Sequence, residues 1–177
     1  MKKSLVAGVV AMAMFSFGAQ AKGQGVINFK GTVIDAPCGI ASGSADQTID
    51  FGQISKAHLD AGGISVQKDL NIQLINCNLA NGGNAAYKSV KVAFTGTPVN
   101  GKNDELGTAG NTGTAIVVSE SSASGQSVSF DGTPGSTSNL QTGDNTLRYS
   151  AWVKKATGGT LKEGDFTAVA NFNLTYQ

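Results

Sequence analysis

The sequence is poor in the residues that carry most enzyme chemistry. Its 177 residues include one histidine, two cysteines and one tryptophan, and only 14% of them are charged. A single histidine excludes a metal site built from paired histidines, and no G-x-S-x-G nucleophile motif or Walker phosphate-binding loop occurs. The formal net charge of +1 provides no basic field for a nucleic-acid backbone. We therefore expect no catalytic residue, metal, cofactor or nucleic-acid partner.

After residue 17, the sequence also lacks a long hydrophobic run. At the amino terminus, Lys2 and Lys3 precede an apolar run from Leu5 to Phe17, which ends at the small-residue triplet Ala19-Gln20-Ala21. This pattern is typical of a secretory signal peptide, whereas a membrane anchor needs about 20 apolar residues. We predict a signal peptide over residues 1–21, whose removal from the 177 residues leaves 156, enough for one domain.

Cys38 and Cys77 form an even pair in a chain predicted to leave the reducing cytosol. Export favours a disulfide between them. Such a bond would close a loop of about 40 residues and remove roughly 4 kcal/mol of denatured-state freedom. The alternative, a two-cysteine metal site, would need further ligands, and His58 lies near neither cysteine in the sequence. We predict the disulfide and interpret His58 as a helix or surface residue.

Apolar and polar residues alternate along most of the mature chain, between clusters of turn-forming residues. This period of two predicts an all-β fold. One segment departs from it, because residues 54–59 fit one or two turns of helix before Gly62-Gly63. Stretches rich in Gly, Ser and Thr at 108–114, 119–127 and 132–142 are interpreted as loops inside one sandwich domain. The predicted strands contain residues 70–74, 90–94, 115–118, 128–130, 147–153 and 166–176.

Few side chains remain as candidates for a ligand-binding site. Trp152 lies in the middle of a predicted strand, where core or interface packing is a better interpretation than ligand stacking. The pairs Asp104-Glu105 and Lys154-Lys155 are interpreted as solvated surface. The sequence therefore favours a protein without catalytic activity.

Residues 26–35, just before Pro37-Cys38, form a strand-like run with an unusual composition. One face contains Ile27, Phe29, Gly31 and Val33, and the other contains Asn28, Lys30 and Thr32. A glycine in an apolar row packs nothing and costs backbone entropy, which suggests a notch where another backbone comes close. Asp35 shares the apolar face, so either the row ends before it or its carboxylate reaches solvent or a donor.

Several motifs in the same order give the chain a specific family resemblance. The motifs are GTVIDAPC at 31–38, IDFGQISK at 49–56, NDELG at 103–107, GTAIVV at 113–118 and AVANFNLTYQ at 168–177. With these motifs, the chain resembles the major shaft pilins of P-type fimbriae, which the chaperone-usher pathway assembles, over essentially the whole mature sequence.

The resemblance implies an incomplete immunoglobulin-like sandwich, the six-stranded pilin fold, which a donated strand completes. It divides the mature chain into an amino-terminal donor-strand extension at 22–36, here called the arm, and a pilin domain at 37–177. The arm's donor row would be Ile27, Phe29, Gly31 and Val33, with Gly31 as the notch. The cysteines would form the family's disulfide. The acceptor groove would be lined by Phe172, Leu174 and Tyr176, and basic chaperone residues would hold the carboxylate of Gln177.

The resemblance also implies partners and a location. A periplasmic chaperone would protect the exported subunit, and an outer-membrane usher would assemble copies of it, with minor and tip pilins, into an extracellular fimbria that supports cell adhesion. Two alternatives remain open: a minor adaptor or terminator pilin, and a solitary secreted carbohydrate-binding β-sandwich. A two-domain tip adhesin is disfavoured, because 156 of the 177 residues leave no room for a second domain.

Overall fold

The structure is a computed structural model that describes residues 25–80, 87–121 and 125–177. The predicted signal peptide at 1–21 and the first three residues of the arm lie outside the described residues. The chain divides into two units, the first ending at Val33 and the second beginning at Ile34. In the first unit, residues 25–33 form neither helix nor strand, and all of them are exposed.

The second unit consists of two antiparallel sheets with two short helices. The larger sheet has the strand order β1-β2-β8-β6-β5-β4, and the smaller has the order β7-β3-β9. The strands are β1 Gly39–Ile40, β2 Lys68–Cys77, β3 Ser89–Gly96, β4 Pro98–Val99, β5 Lys102–Gly107, β6 Thr114–Glu120, β7 Asp131–Asn139, β8 Gly143–Lys155 and β9 Ala170–Tyr176; the helices are α1 Ser42–Ala45 and α2 Lys56–Asp60.

Alternating apolar side chains from both sheets form one core. Ile72 and Leu74 of β2 and Leu147 and Tyr149 of β8 are buried together with Val90, Val92 and Phe94 of β3. The ring of Phe94 lies edge-on to that of Tyr149, with 5.2 Å between the ring centres, a favoured aromatic geometry. The two sheets therefore form the predicted β-sandwich. The described residues contain nine strands rather than six, two of them only two residues long.

The helix predicted over residues 54–59 is confirmed as α2. The hydroxyl of Ser55 accepts a hydrogen bond from the main-chain N–H of His58 and caps the helix, a common helix start. Among the described residues, no helix is long and apolar enough to cross a membrane.

The prediction for residues 128–142 is wrong. The sequence predicted a strand at 128–130, stopped by Asp131-Gly132, and a loop over 132–142, but Asp131–Asn139 form β7 and pair with β3. Val128 and Phe130 are buried core residues ahead of that strand. The side chains of β7 are all exposed or half-buried, so no apolar alternation marks it in the sequence.

A second correction concerns the charged pairs. Glu105 was interpreted as solvated, but it is buried, and its carboxylate accepts hydrogen bonds from Lys154 Nζ at 2.8 Å and from the main-chain N–H of Thr157 at 2.8 Å. Burial by itself would raise the pKa of Glu105, but the bonds from Lys154 and Thr157 outweigh it and hold the pKa below its ordinary value. Glu105 thus connects β5 to β8. Asp104 is exposed as expected, and Trp152 is half-buried opposite Val117.

Candidate functional site

The last strand, β9, has one unpaired side. Among the strands of the described residues, β9 pairs only with β3, through seven residue pairs from Gly96–Ala170 to Val90–Tyr176 without a register shift. The apolar alternation predicted a strand from Phe166, but the strand begins at Ala170. We call the unpaired side of Ala170–Tyr176 the free edge of β9.

The side chains of β9 alternate between the core and the surface. Phe172, Leu174 and Tyr176, the three residues predicted to line the groove, pack against the core but remain half-exposed. The residues between them, Asn171, Asn173 and Thr175, are exposed. The core is therefore incompletely covered along this strand.

The main chain of β9 is oriented so that the same three residues face the free edge. Ser89 and Gln177 exchange both main-chain hydrogen bonds, with N···O distances of 3.0 and 2.9 Å. In an antiparallel pair, hydrogen-bonded and non-hydrogen-bonded positions alternate, so the odd-numbered residues of β9 bond to β3. The N–H and C=O groups of Phe172, Leu174 and Tyr176 point the other way. The free edge thus offers hydrogen-bonding groups and apolar side chains at the same positions.

Aromatic contacts fix both ends of this row. The ring of Phe172 lies 6.5 Å from that of Phe94 in the core, and the ring of Tyr176 lies 6.1 Å from that of Tyr87, edge-on. Burial raises the pKa of the Tyr176 hydroxyl. Sequence reasoning missed Tyr87, because a lone aromatic residue beside a turn gives no periodic signal.

The root of the arm, residues 35–37, joins the arm to the pilin domain near the carboxyl end of β9. The predicted disulfide between Cys38 and Cys77 is confirmed, and both cysteines are buried. The N–H of Asn78 donates to the main-chain oxygen of Pro37 at 2.8 Å. Asp35, Pro37 and Tyr87 also line one cavity of about 220 Å³. Because Tyr87 contacts Tyr176, the point where the arm leaves the domain lies at the end of β9 that carries Tyr176.

The arm itself exposes its predicted donor row. The exposed fractions of the residues Ile27, Phe29 and Val33 are 77%, 91% and 100%. A contiguous exposed apolar surface commonly marks an interaction site on a soluble protein. Gly31 lies between Phe29 and Val33 on this row, and Asp35 is also exposed.

The carboxyl-terminal residue, Gln177, is hydrogen-bonded to the main chain at the start of β3. The main-chain oxygen of Gln177 accepts hydrogen bonds from the N–H groups of Lys88 at 2.7 Å and Ser89 at 3.0 Å. The chain end is therefore fixed in line with β9. Within the described ranges, no cluster of three or more His, Cys, Asp or Glu side chains could hold a metal ion.

Sequence comparisons match the chain to fimbrial proteins. A family model described as "Fimbrial protein" matches residues 27–177. The chain is 54% identical to the Pap fimbrial major pilin protein of Escherichia coli, over all of both chains. It is 37% identical to the major MR/P fimbria protein of Proteus mirabilis strain HI4320, over 99% of this chain and 98% of that protein.

Two solved structures share the fold. The crystal structure of the P pilus rod subunit PapA matches with a TM-score of 0.74 and 53% identity, over 80% of this chain and 100% of that one. A subunit in the structure of a chaperone-usher pilus, described for its rod uncoiling, matches with a TM-score of 0.80 and 56% identity, over 88% of this chain and 96% of that one.

Proposed function

The chain belongs to the fimbrial protein family, and from that premise we propose that it is the repeating shaft subunit of a bacterial surface fimbria. It is a structural protein and not an enzyme. Each copy would donate its arm to the free edge of β9 in the next copy. The observation that carries the proposal is this edge, where half-exposed core side chains and unpaired main-chain groups belong to the same residues.

The arm has the complementary pattern. Burying the exposed side chains of Ile27, Phe29 and Val33 would contribute roughly 1.5 to 3 kcal/mol each. Pairing with β9 would add a ladder of main-chain hydrogen bonds, as in other cases of strand addition. A slip of one residue would turn Asn28, Lys30 and Thr32 toward the core. The arm's sequence thus specifies one register, with Gly31 as the proposed notch.

The position of the arm's root supports an antiparallel joint. In a donor strand parallel to β9, the root would lie beside Tyr176 of the acceptor, where the acceptor's own arm also leaves the domain. Roots of successive copies would then crowd at one end. An antiparallel donor strand places the root at the Ala170 end, so each copy advances by about 24 Å along a seven-residue strand. Such a head-to-tail contact does not close on itself and produces a filament.

The free edge of β9 would need protection before assembly. An unpaired strand with apolar side chains is a template for aggregation. We propose that residues 1–21 direct export, that a periplasmic chaperone covers the free edge and holds the Gln177 carboxylate, and that an outer-membrane usher exchanges the chaperone for the arm, residues 22–36, of the next copy. Residues 37–177 would form the pilin domain, and minor and tip pilins would join the cell-surface fimbria.

Electrophoresis of fibres sheared from the cell surface tests the polymer. In detergent without heating, we expect a ladder or high-mass species, and after prolonged heating in acid a single band of mature size. A monomer under both conditions, without a bound chaperone, would instead indicate a sandwich that completes itself.

A truncation tests the chaperone's binding edge. Deletion of residues 172–177 removes the three core-facing residues of β9, so we expect no chaperone complex to be recovered from the periplasm. The full-length chain is the control. Recovery of a stable complex from the truncated chain would contradict this part of the proposal.

A further inference from the structure

The smaller sheet has a second outer edge, on β7, whose pairing is irregular. The register between β7 and β3 shifts twice, between Lys91 and Ala93 and between Ala93 and Thr95. At each shift, three residue steps on β7 lie opposite two on β3, which is the arrangement of a β-bulge. Bulges twist an edge away from regular pairing with another strand.

In the middle of this edge, most main-chain donors are occupied or absent. The N–H of Ser136 donates to Oε1 of Glu120 at 2.9 Å, and the N–H of Thr133 donates to Oδ1 of Asp131 at 2.9 Å. Between them, Pro134 has no N–H at all. Three of the four residues from 133 to 136 therefore have no N–H to offer an incoming strand.

The contact with Glu120 depends on a specific fit between the two sheets. Glu120 is the last residue of β6 in the larger sheet, and its carboxylate reaches across to β7. A Cβ at Gly135 would lie 2.7 Å from Oε1 of Glu120 and 3.4 Å from the main-chain oxygen of Val92. A side chain at this position would therefore displace the Glu120 carboxylate from its place beside Ser136. The resulting bond to Ser136 is charge-assisted and stronger than a neutral one.

We propose that Glu120, Pro134 and Gly135 close the β7 edge to donated strands, so that each subunit accepts an arm at β9 only. The inference rests on the proposed function, because the strand excluded is the arm of another copy. Each subunit has one arm to donate, so a second receptive edge would let one copy accept two arms. The fibre would then branch or bundle.

The test uses assembled fibres, in which the β9 edges are already filled, and a fluorescent synthetic peptide of residues 25–36. The double variant Glu120→Ala, Pro134→Thr frees the N–H of Ser136 and restores one at position 134. We expect wild-type fibres to bind peptide only at their ends. Fibres of the double variant should bind at least about tenfold more and show branches or lateral bundles by electron microscopy.

Thr137→Val is the matched control, since Thr137 is exposed on the same strand and its side chain has no part in the proposal. Equal peptide binding by wild-type and double-variant fibres overturns the inference, as does wild-type binding of one peptide per subunit. If the double variant forms no fibres, Pro134→Thr alone is measured by the same criterion. The proposed function fails by a different result, which is fibre formation by a chain that lacks residues 25–33.

Discussion

The two outer edges of the smaller sheet flank the same central strand, β3, yet they present different surfaces to another chain. β9 keeps one register over seven pairs and turns Phe172, Leu174 and Tyr176 toward an incompletely covered core. β7 contains two register shifts and a proline, and none of its side chains is fully buried. The two edges thus differ in their register, in their available N–H groups and in their side chains.

The larger sheet extends this comparison. Its outer strands, β1 and β4, are only two residues long, and β4 begins with Pro98. Short edge strands and proline are common means of preventing edge-to-edge association. Among the described strands, β9 is therefore the long, regular and apolar edge, which agrees with a subunit that needs one acceptor site.

The largest effect on fibre assembly is expected from a substitution that gives β9 a feature of β7, a proline in the strand. Leu174→Pro removes an N–H that faces the free edge and an apolar side chain that faces the core, while the ladder to β3 uses the odd-numbered residues. We expect loss of fibres in a sedimentation assay. Asn173→Thr, which changes an exposed side chain on the opposite face, should assemble normally. Normal fibre yield from Leu174→Pro would show that β9 is not the acceptor.

A change in the proposed donor row should distinguish the two proposed partners of β9, the chaperone and the arm of another copy. Because Gly31 is the proposed notch, we predict that Gly31→Asn blocks subunit-to-subunit exchange and leaves the chaperone complex intact. The yields of fibres and of periplasmic complex measure the two steps. Thr32→Asn, on the other face of the arm, is the control. Fibres of normal length from Gly31→Asn would contradict the notch.

A smaller effect is expected from the most bulky donor side chain. Phe29→Ala should still allow assembly but should weaken each joint by about 2 to 3 kcal/mol, because the apolar area buried in the joint decreases. The denaturant concentration at which fibres dissociate should fall accordingly. Asn28→Ala should leave it unchanged, and an unchanged value for Phe29→Ala would exclude Phe29 from the donor row.

The smallest effect is expected on the acid stability of the subunit, from Glu105, which lies away from both edges of the smaller sheet. The pKa of Glu105 is lowered in the folded state, so its stabilising contribution is complete above the unfolded pKa of about 4.3 and is lost as the pH falls through the folded value. Acid should lower the thermal unfolding temperature of wild type more than that of Glu105→Gln. If the unfolding temperatures of both proteins decrease equally below about pH 4.3, Glu105 does not contribute to the pH dependence of stability.

Apolar periodicity predicted the sandwich because most strands have one buried face, and the cysteine count with the predicted export gave the disulfide. The strand β7 was missed because it has no buried face to mark it. Burial of Glu105 could not be predicted either, since its partners Lys154 and Thr157 are about 50 residues away in the chain. The half-exposure of Phe172, Leu174 and Tyr176 is likewise a property of the tertiary structure.

Amide hydrogen exchange in intact fibres tests the central claim most directly. A donated strand would protect the N–H groups of Phe172, Leu174 and Tyr176, which β3 does not bind, together with amides of the arm. The account predicts slow exchange at these three positions and unprotected exchange at Thr137 on the β7 edge. Rapid exchange of the Phe172, Leu174 and Tyr176 amides in assembled fibres would contradict it.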